Sequence, residues 1–137
     1  MKKLLLIIAI LLIATTHYGQ TLKTGNLVGV HVITIELNAG ITMEQFQQFH
    51  CNTLIPEFER LYKGWQLYLA KGIRGENKNT YGWIMVAESE ETRDRLYKDN
   101  GSLTEYGKEI RDKMQPILEE VEKFGKLERT YTDWVIL

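Results

Sequence analysis

Beyond residue 20 the chain carries two histidines, His31 and His50, and each sits among apolar neighbours. His31 shares one side of a Val/Ile-rich segment with Ile33 and Ile35. His50 falls on a stripe with Phe46 and Leu54. A neutral imidazole offers a nitrogen lone pair, so either ring suits a proton transfer, a metal or a haem iron. Their separation does not suit two ligands on one helix, and a metal set would need Glu36, Asp133 or another distant residue to converge. A packed or hydrogen-bonded role is the favoured expectation for each histidine, and a shared pocket between sheet and helix is the alternative. No metal is expected and no cofactor is assigned, with haem the one held open.

Arg74-Gly75-Glu76 is the most distinctive polar sequence. Paired guanidinium donors at Arg74 suit a carboxylate or enolate, and Glu76 suits a proton acceptor. A salt bridge across a solvated turn explains the same residues and is favoured. Arg93 and Tyr97 lie four apart, so on a helix they share a face and can line a pocket together. The aromatics Trp65, Tyr68, Tyr81, Trp83, Tyr97, Tyr131 and Trp134 would enclose a planar ligand if they converged, with tyrosine hydroxyls orienting its polar edge. Against that, Trp65 and Trp83 also read as sheet core and Trp134 as the seal of a dimer. The site candidates are therefore His31, His50 and Arg74 for catalysis, and Tyr68, Trp83, Arg93 and Tyr97 for binding.

The elements that must position these residues follow from hydrophobic period. Leu27 to Leu37 has the β-branched content of a strand, and Asn38-Ala39-Gly40 turns it. Thr42 and Gln45 form a capping box before a helix whose stripe runs Phe46, His50, Leu54, Phe58, Leu61. Pro56 must kink that helix or start a second one, and Gly64 ends it. Trp65 to Arg74 and Thr80 to Ala87 read as a hairpin across a five-residue turn. Ser89 caps a short helix reaching towards Tyr97. Another helix begins at Ser102 or Thr104, the former making a capping box with Glu105, and ends by Gly125 after a bend at Pro116. Leu127 to Leu137 closes the sequence as a strand.

With 17 basic and 18 acidic residues among 137, net charge −1, the chain lacks the basic surface that nucleic acid requires, and no such partner is expected. Lys2 and Lys3 precede an apolar run of 11 residues, Leu4 to Ala14. That run fits a secretory h-region and is too short for a spanning helix of about 20. Residues 1–19 are expected to be a signal peptide cut before Gln20, leaving 20–137 as one domain, secreted or periplasmic, with no stable membrane anchor. Cys51 is the only cysteine, so no disulfide forms within the chain. Its place inside a helix predicts a buried packing role.

The order strand, helix, strand, strand, helix, strand predicts an α+β fold, a ferredoxin-like two-layer sandwich. Tyr81, Trp83 and Met85 alternate with Ile84 and Val86, so this strand is apolar on both faces and a second subunit is expected over the face that helices leave bare. With its bent helix Thr42 to Lys63, the hairpin Arg74 to Thr80 and the helix ending near Gly125, the chain resembles the dimeric alpha-plus-beta barrel superfamily over Leu27 to Leu137. That resemblance implies paired sheets in a homodimer. It also implies a range of activities that includes quinone-forming monooxygenases and haem-degrading enzymes, and many members without an assigned one. The expectation that follows is a secreted dimeric protein binding a small apolar or aromatic molecule. A cofactor-independent monooxygenase, a haem-binding enzyme and a non-catalytic interaction module are the alternatives.

Overall fold

Val28, Val30, Val32, Ile33 and Ile35 favour the pleated backbone, and they supply five of the 11 residues of strand β1 (Leu27–Leu37) in the computed structural model, which describes residues 22–137. The signal segment expected at 1–19 lies outside the described residues. Thr42 caps α1 (Met43–Phe49) reciprocally with Gln45: the Thr42 oxygen accepts from the Gln45 N–H, and the Gln45 side chain accepts from the Thr42 N–H at 2.8 Å. A π-helical turn, His50–Leu54, joins α1 to α2 (Ile55–Leu61). The apolar stripe explains this wide turn. Residues four apart on an α-helix advance by about 40° more than a full turn, so Phe46, His50, Leu54 and Phe58 would spiral away from the sheet. The wider turn cancels that drift, and all of them, with Leu61, are buried. Pro56, which has no N–H to donate, follows directly in the first turn of α2.

Strands β2 (Trp65–Lys71) and β3 (Tyr81–Ala87) pair antiparallel, then come α3 (Glu90–Asp94), α4 (Glu105–Glu122) and β4 (Gly125–Val135). The sheet order is β2-β3-β1-β4, antiparallel throughout. This four-stranded α+β arrangement is compatible with a ferredoxin-like fold. β1 sits inside the sheet, with His31 opposite Trp83 on one side and opposite Tyr131 on the other. Partners across a ladder point to the same face. The helix-facing side therefore carries Leu27, Gly29, His31 and Ile33 of β1, Trp65 and Leu67 of β2, Trp83 and Met85 of β3, and Leu127, Arg129, Tyr131 and Asp133 of β4.

The core lies between this face and the helices, where Leu54, Phe58, Leu61, Leu67, Leu96, Ile110, Met114 and Val121 form one buried cluster. Each such side chain contributes about 1.5–3 kcal/mol by leaving water. The helix cover ends at Leu127; the rest of β4 is exposed.

Several expectations need correction. Cys51 is exposed, because it follows His50 by one residue and so points well away from the buried stripe. β2 stops at Lys71 rather than Arg74, since the Gly72 N–H donates to Thr80 and the Asn79 N–H to Gly72, while Asn79 takes φ 67° to close a longer loop. Of the two starts expected for α4, Thr104 is the cap, its oxygen accepting from the Gly107 N–H at 3.0 Å. β4 begins at Gly125, two residues early, because its ladder with β1 runs back to Leu37. Pro116 lies inside α4, as its sequence position suggests, and α4 is helical to Glu122.

Candidate functional site

Where the helix layer ends, a cleft of about 1350 Å³ opens between the sheet and α4, bordered by the segment from Tyr97 to Leu103. Gly107 sets how closely that segment lies against α4: a Cβ there would fall 2.2 Å from the Leu96 carbonyl oxygen. Thr104 completes the junction, its hydroxyl donating to Arg95 O at 2.6 Å and its N–H to Leu96 O at 2.9 Å. Tyr97 is held in turn by its N–H to Arg93 O and by a bridge to Leu103. So Arg93 and Tyr97 both line the cleft, although α3 ends at Asp94. Arg93 also pairs with Asp94 at 2.5 Å.

The floor is apolar and aromatic, with Trp65, Trp83, Met85 and Leu67 from the sheet and Met114 and Leu118 from α4. Three ring nitrogens on this lining are buried with no hydrogen-bond partner in the protein: Trp65 Nε1, Trp83 Nε1 and His31 Nδ1. An indole N–H only donates, and leaving one buried and unmet costs about 1–3 kcal/mol.

β4 supplies the polar wall. His31 stacks on Tyr131 with ring centroids 5.2 Å apart. Asp133 stands opposite Gly29, and a Cβ built on Gly29 would meet Asp133 Oδ1 at 2.9 Å and His31 Nε2 at 3.4 Å. Glycine thus leaves the space that the carboxylate and the imidazole share. Burial, reinforced by the Arg129 charge and opposed by Asp133, holds the His31 pKa below the ordinary histidine value, so the ring is neutral at pH 7. Burial also raises both cleft tyrosines. Tyr62 is pushed up to about 12, with Tyr97 adding to the rise and Arg111 opposing it. Tyr97 is raised against the pull of Arg129 and Arg111. Both phenols are therefore neutral donors near pH 7.

The structure brings together His31, Trp83, Arg93 and Tyr97 among the expected site residues. It does not bring His50, Tyr68 or Arg74 to them. His50, the first residue of the π turn, is fully buried, packed on Phe46 at 3.9 Å and on Trp83 at 5.7 Å, with its Nδ1 at 2.8 Å from Phe46 O. Tyr68 lies opposite Ile84, on the sheet face away from the helices, and bonds to Gln66. Arg74 is exposed in the β2–β3 loop, and its expected ion pair with Glu76 is not among those the described residues form.

Sequence inspection missed Arg111, Arg129 and Tyr62. Arg129, Tyr131 and Asp133 alternate along β4 and so share a face, but pairing that face with His31 required the β1–β4 register. Arg111 was within reach: three residues before Met114 and four after Gly107, it borders the buried stripe of α4 while being exposed itself. Among the described residues, no group of three or more His, Cys, Asp or Glu side chains is placed to hold a metal ion, and no helix is long and apolar enough to cross a membrane. In comparisons with known proteins, no family model matches the chain and no curated protein matches it.

Proposed function

We propose that this protein binds a small, largely planar organic molecule in the cleft between sheet and helices. The observation that carries the proposal is the convergence of three unpartnered buried ring nitrogens, on His31, Trp65 and Trp83, around one aromatic-floored cleft. A ligand oxygen over the indoles would satisfy donors that the fold leaves unmet. Native mass spectrometry of gently purified protein should show a bound species of a few hundred daltons. Its release by Trp83→Ala is the expected companion result. Protein that carries nothing, and takes up nothing from a panel of aromatic acids, phenols and amides, removes the proposal.

The closeness of His31 and Asp133 to one space favours a second reading, cofactor-independent oxidation of a phenol, with the neutral imidazole taking the phenolic proton. Oxygen uptake with a bound phenol, lost in His31→Leu, would put the enzyme first. A stoichiometric haem absorbance would replace both.

We also infer a homodimer built as a dimeric α+β barrel. On the sheet face away from the helices, Val28, Val30, Val32, Ala70, Ile84 and Val86 stand with the largely exposed Tyr68 and Trp134. A second copy laid on this face would cover it. Sedimentation at micromolar concentration should give twice the chain mass, and a persistent monomer rules the dimer out. Export with cleavage near Gln20 remains part of the proposal, and intact mass of the protein from its own cells tests it: a product that retains Met1 refutes it.

A further inference from the structure

Cations outnumber anions among the side chains that line the cleft. Three of those cations are occupied elsewhere: Arg93 by Asp94, Lys108 by Glu105 and Lys126 by Glu128. Arg111, Arg129 and the exposed Lys98 of the bordering segment have no ion-pair partner among the described residues, and of these the two arginines offer paired donors. They reach the cleft from opposite layers, Arg111 from the α4 stripe that contains Met114 and Leu118, Arg129 from β4 beside Tyr131. His31, Tyr62 and Tyr97 line the same cleft as the two arginines, and the arginine charges bear on these groups: both on Tyr97, Arg111 also on Tyr62 and Arg129 also on His31. Trp65, Trp83 and Met85 belong to its apolar floor.

We propose that the cleft selects amphiphilic organic monocarboxylates, gripping the carboxylate between Arg111 and Arg129 and laying the apolar body over Trp65 and Trp83. The proposal rests on the small-molecule reading above and narrows it to a ligand class. A guanidinium meets a carboxylate through two parallel N–H bonds, and the Tyr62 and Tyr97 hydroxyls, neutral at physiological pH, add further donors. Asp133 limits the charge. Its carboxylate stands on the same wall, next to His31, and repels a doubly charged headgroup more than a singly charged one. Arg93 does not substitute for either arginine, because Asp94 already holds its Nε.

Calorimetric titration of the full-length protein at pH 7.5 with three probes tests this: 2-naphthoate, its neutral amide 2-naphthamide, and the dianionic 2-naphthyl phosphate. The naphthoate should bind at least tenfold tighter than the amide and tighter than the phosphate. Arg111→Gln and Arg129→Gln are exposed-site changes that leave the fold intact, which circular dichroism confirms for each variant. Each should weaken the naphthoate by threefold or more while leaving the amide within twofold, and the double variant should erase the preference. Arg74→Gln, distant in the β2–β3 loop, should change nothing. Equal affinity for acid and amide, a preference for the phosphate, or arginine variants with unaltered discrimination would each overturn the carboxylate assignment while leaving the cleft a binding site. Failure of all three probes to bind would defeat the binding function itself.

Discussion

His31 and His50 occupy comparable sequence settings, each on an apolar stripe, and each has one ring nitrogen without a partner. Their surroundings diverge. His50 is sealed between Phe46, Phe49 and Trp83 with no charged side chain acting on it; burial lowers its pKa and only the Phe46 carbonyl opposes. His31 is half-buried, paired with Trp83 across the β1–β3 ladder, and an arginine and an aspartate act on it from β4. The difference is set by where the helix layer stops, since His50 belongs to the buried face of that layer and His31 lies on β1 where the cleft opens.

The sharpest way to break that contrast is to empty each side. Phe46→Ala, which removes a ring with no solvent exposure, should cost about 3–5 kcal/mol in urea unfolding. Tyr131→Ala, which removes a ring from the open side, should change stability by no more than about 0.5 kcal/mol. Comparable losses at the two positions would mean that the cleft wall is as closely packed as the core.

A smaller effect separates the histidines by pH. Both have lowered folded-state pKa values, so above the ordinary value of 6.5 each is neutral whether the chain is folded or not. As pH falls through 6.5 the unfolded chain takes up protons that the folded chain refuses, and stability declines until the depressed folded values are reached. The slope for one histidine is at most about 1.4 kcal/mol per pH unit. Urea midpoints between about pH 6.5 and 5.5 should therefore fall. His50→Leu should flatten that fall more than His31→Leu. The reverse order would place the more desolvated imidazole in the cleft.

Gly29→Ala should produce the smallest change. The new methyl displaces the Asp133 carboxylate rather than backbone, so stability should stay within about 1 kcal/mol. With the aspartate pushed away, the one influence that raises the His31 pKa weakens, and its NMR titration midpoint should move lower still while that of His50 stays put. An unmoved His31 midpoint would show that Asp133 does not act through this gap.

Four strands, their order along the chain and the capped bent helix were legible because each rests on local period and capping chemistry. Thr42 with Gln45 and Ser89 with Thr92 N–H behave as their sequence suggests. Cys51 was misread as buried although its phase opposes that: one residue after His50, it could not share the same stripe. The charged wall was not legible. Arg129 and Asp133 look like ordinary polar residues of an outer strand until Leu37 is set against Gly125, a pairing between distant segments that no local pattern specifies. The separation of His50 from the cleft had the same origin, because it depends on the π turn packing His50 against Trp83, a residue of a distant strand.

The wide turn His50–Leu54 bears on how this chain tolerates insertions and deletions. Ile55 donates to His50, five residues back, so the turn holds one residue more than an α-helix needs. Elsewhere in a helix, losing one residue swings everything beyond it by about 100°. Here, removing the exposed Asn52 would change the stripe from steps of four to alternating steps of four and three, the natural α-helical rhythm, and keep Phe58 and Leu61 on the sheet. Pro56 is the obstacle, since its ring would then press on the carbonyl one regular turn behind it. A chain lacking Asn52 and carrying Pro56→Ala should fold with its far-ultraviolet dichroism intact, whereas deleting Lys113 from the regular α4 should unfold it. The surplus residue has the form of an insertion that the helix absorbed without altering the surface it buries.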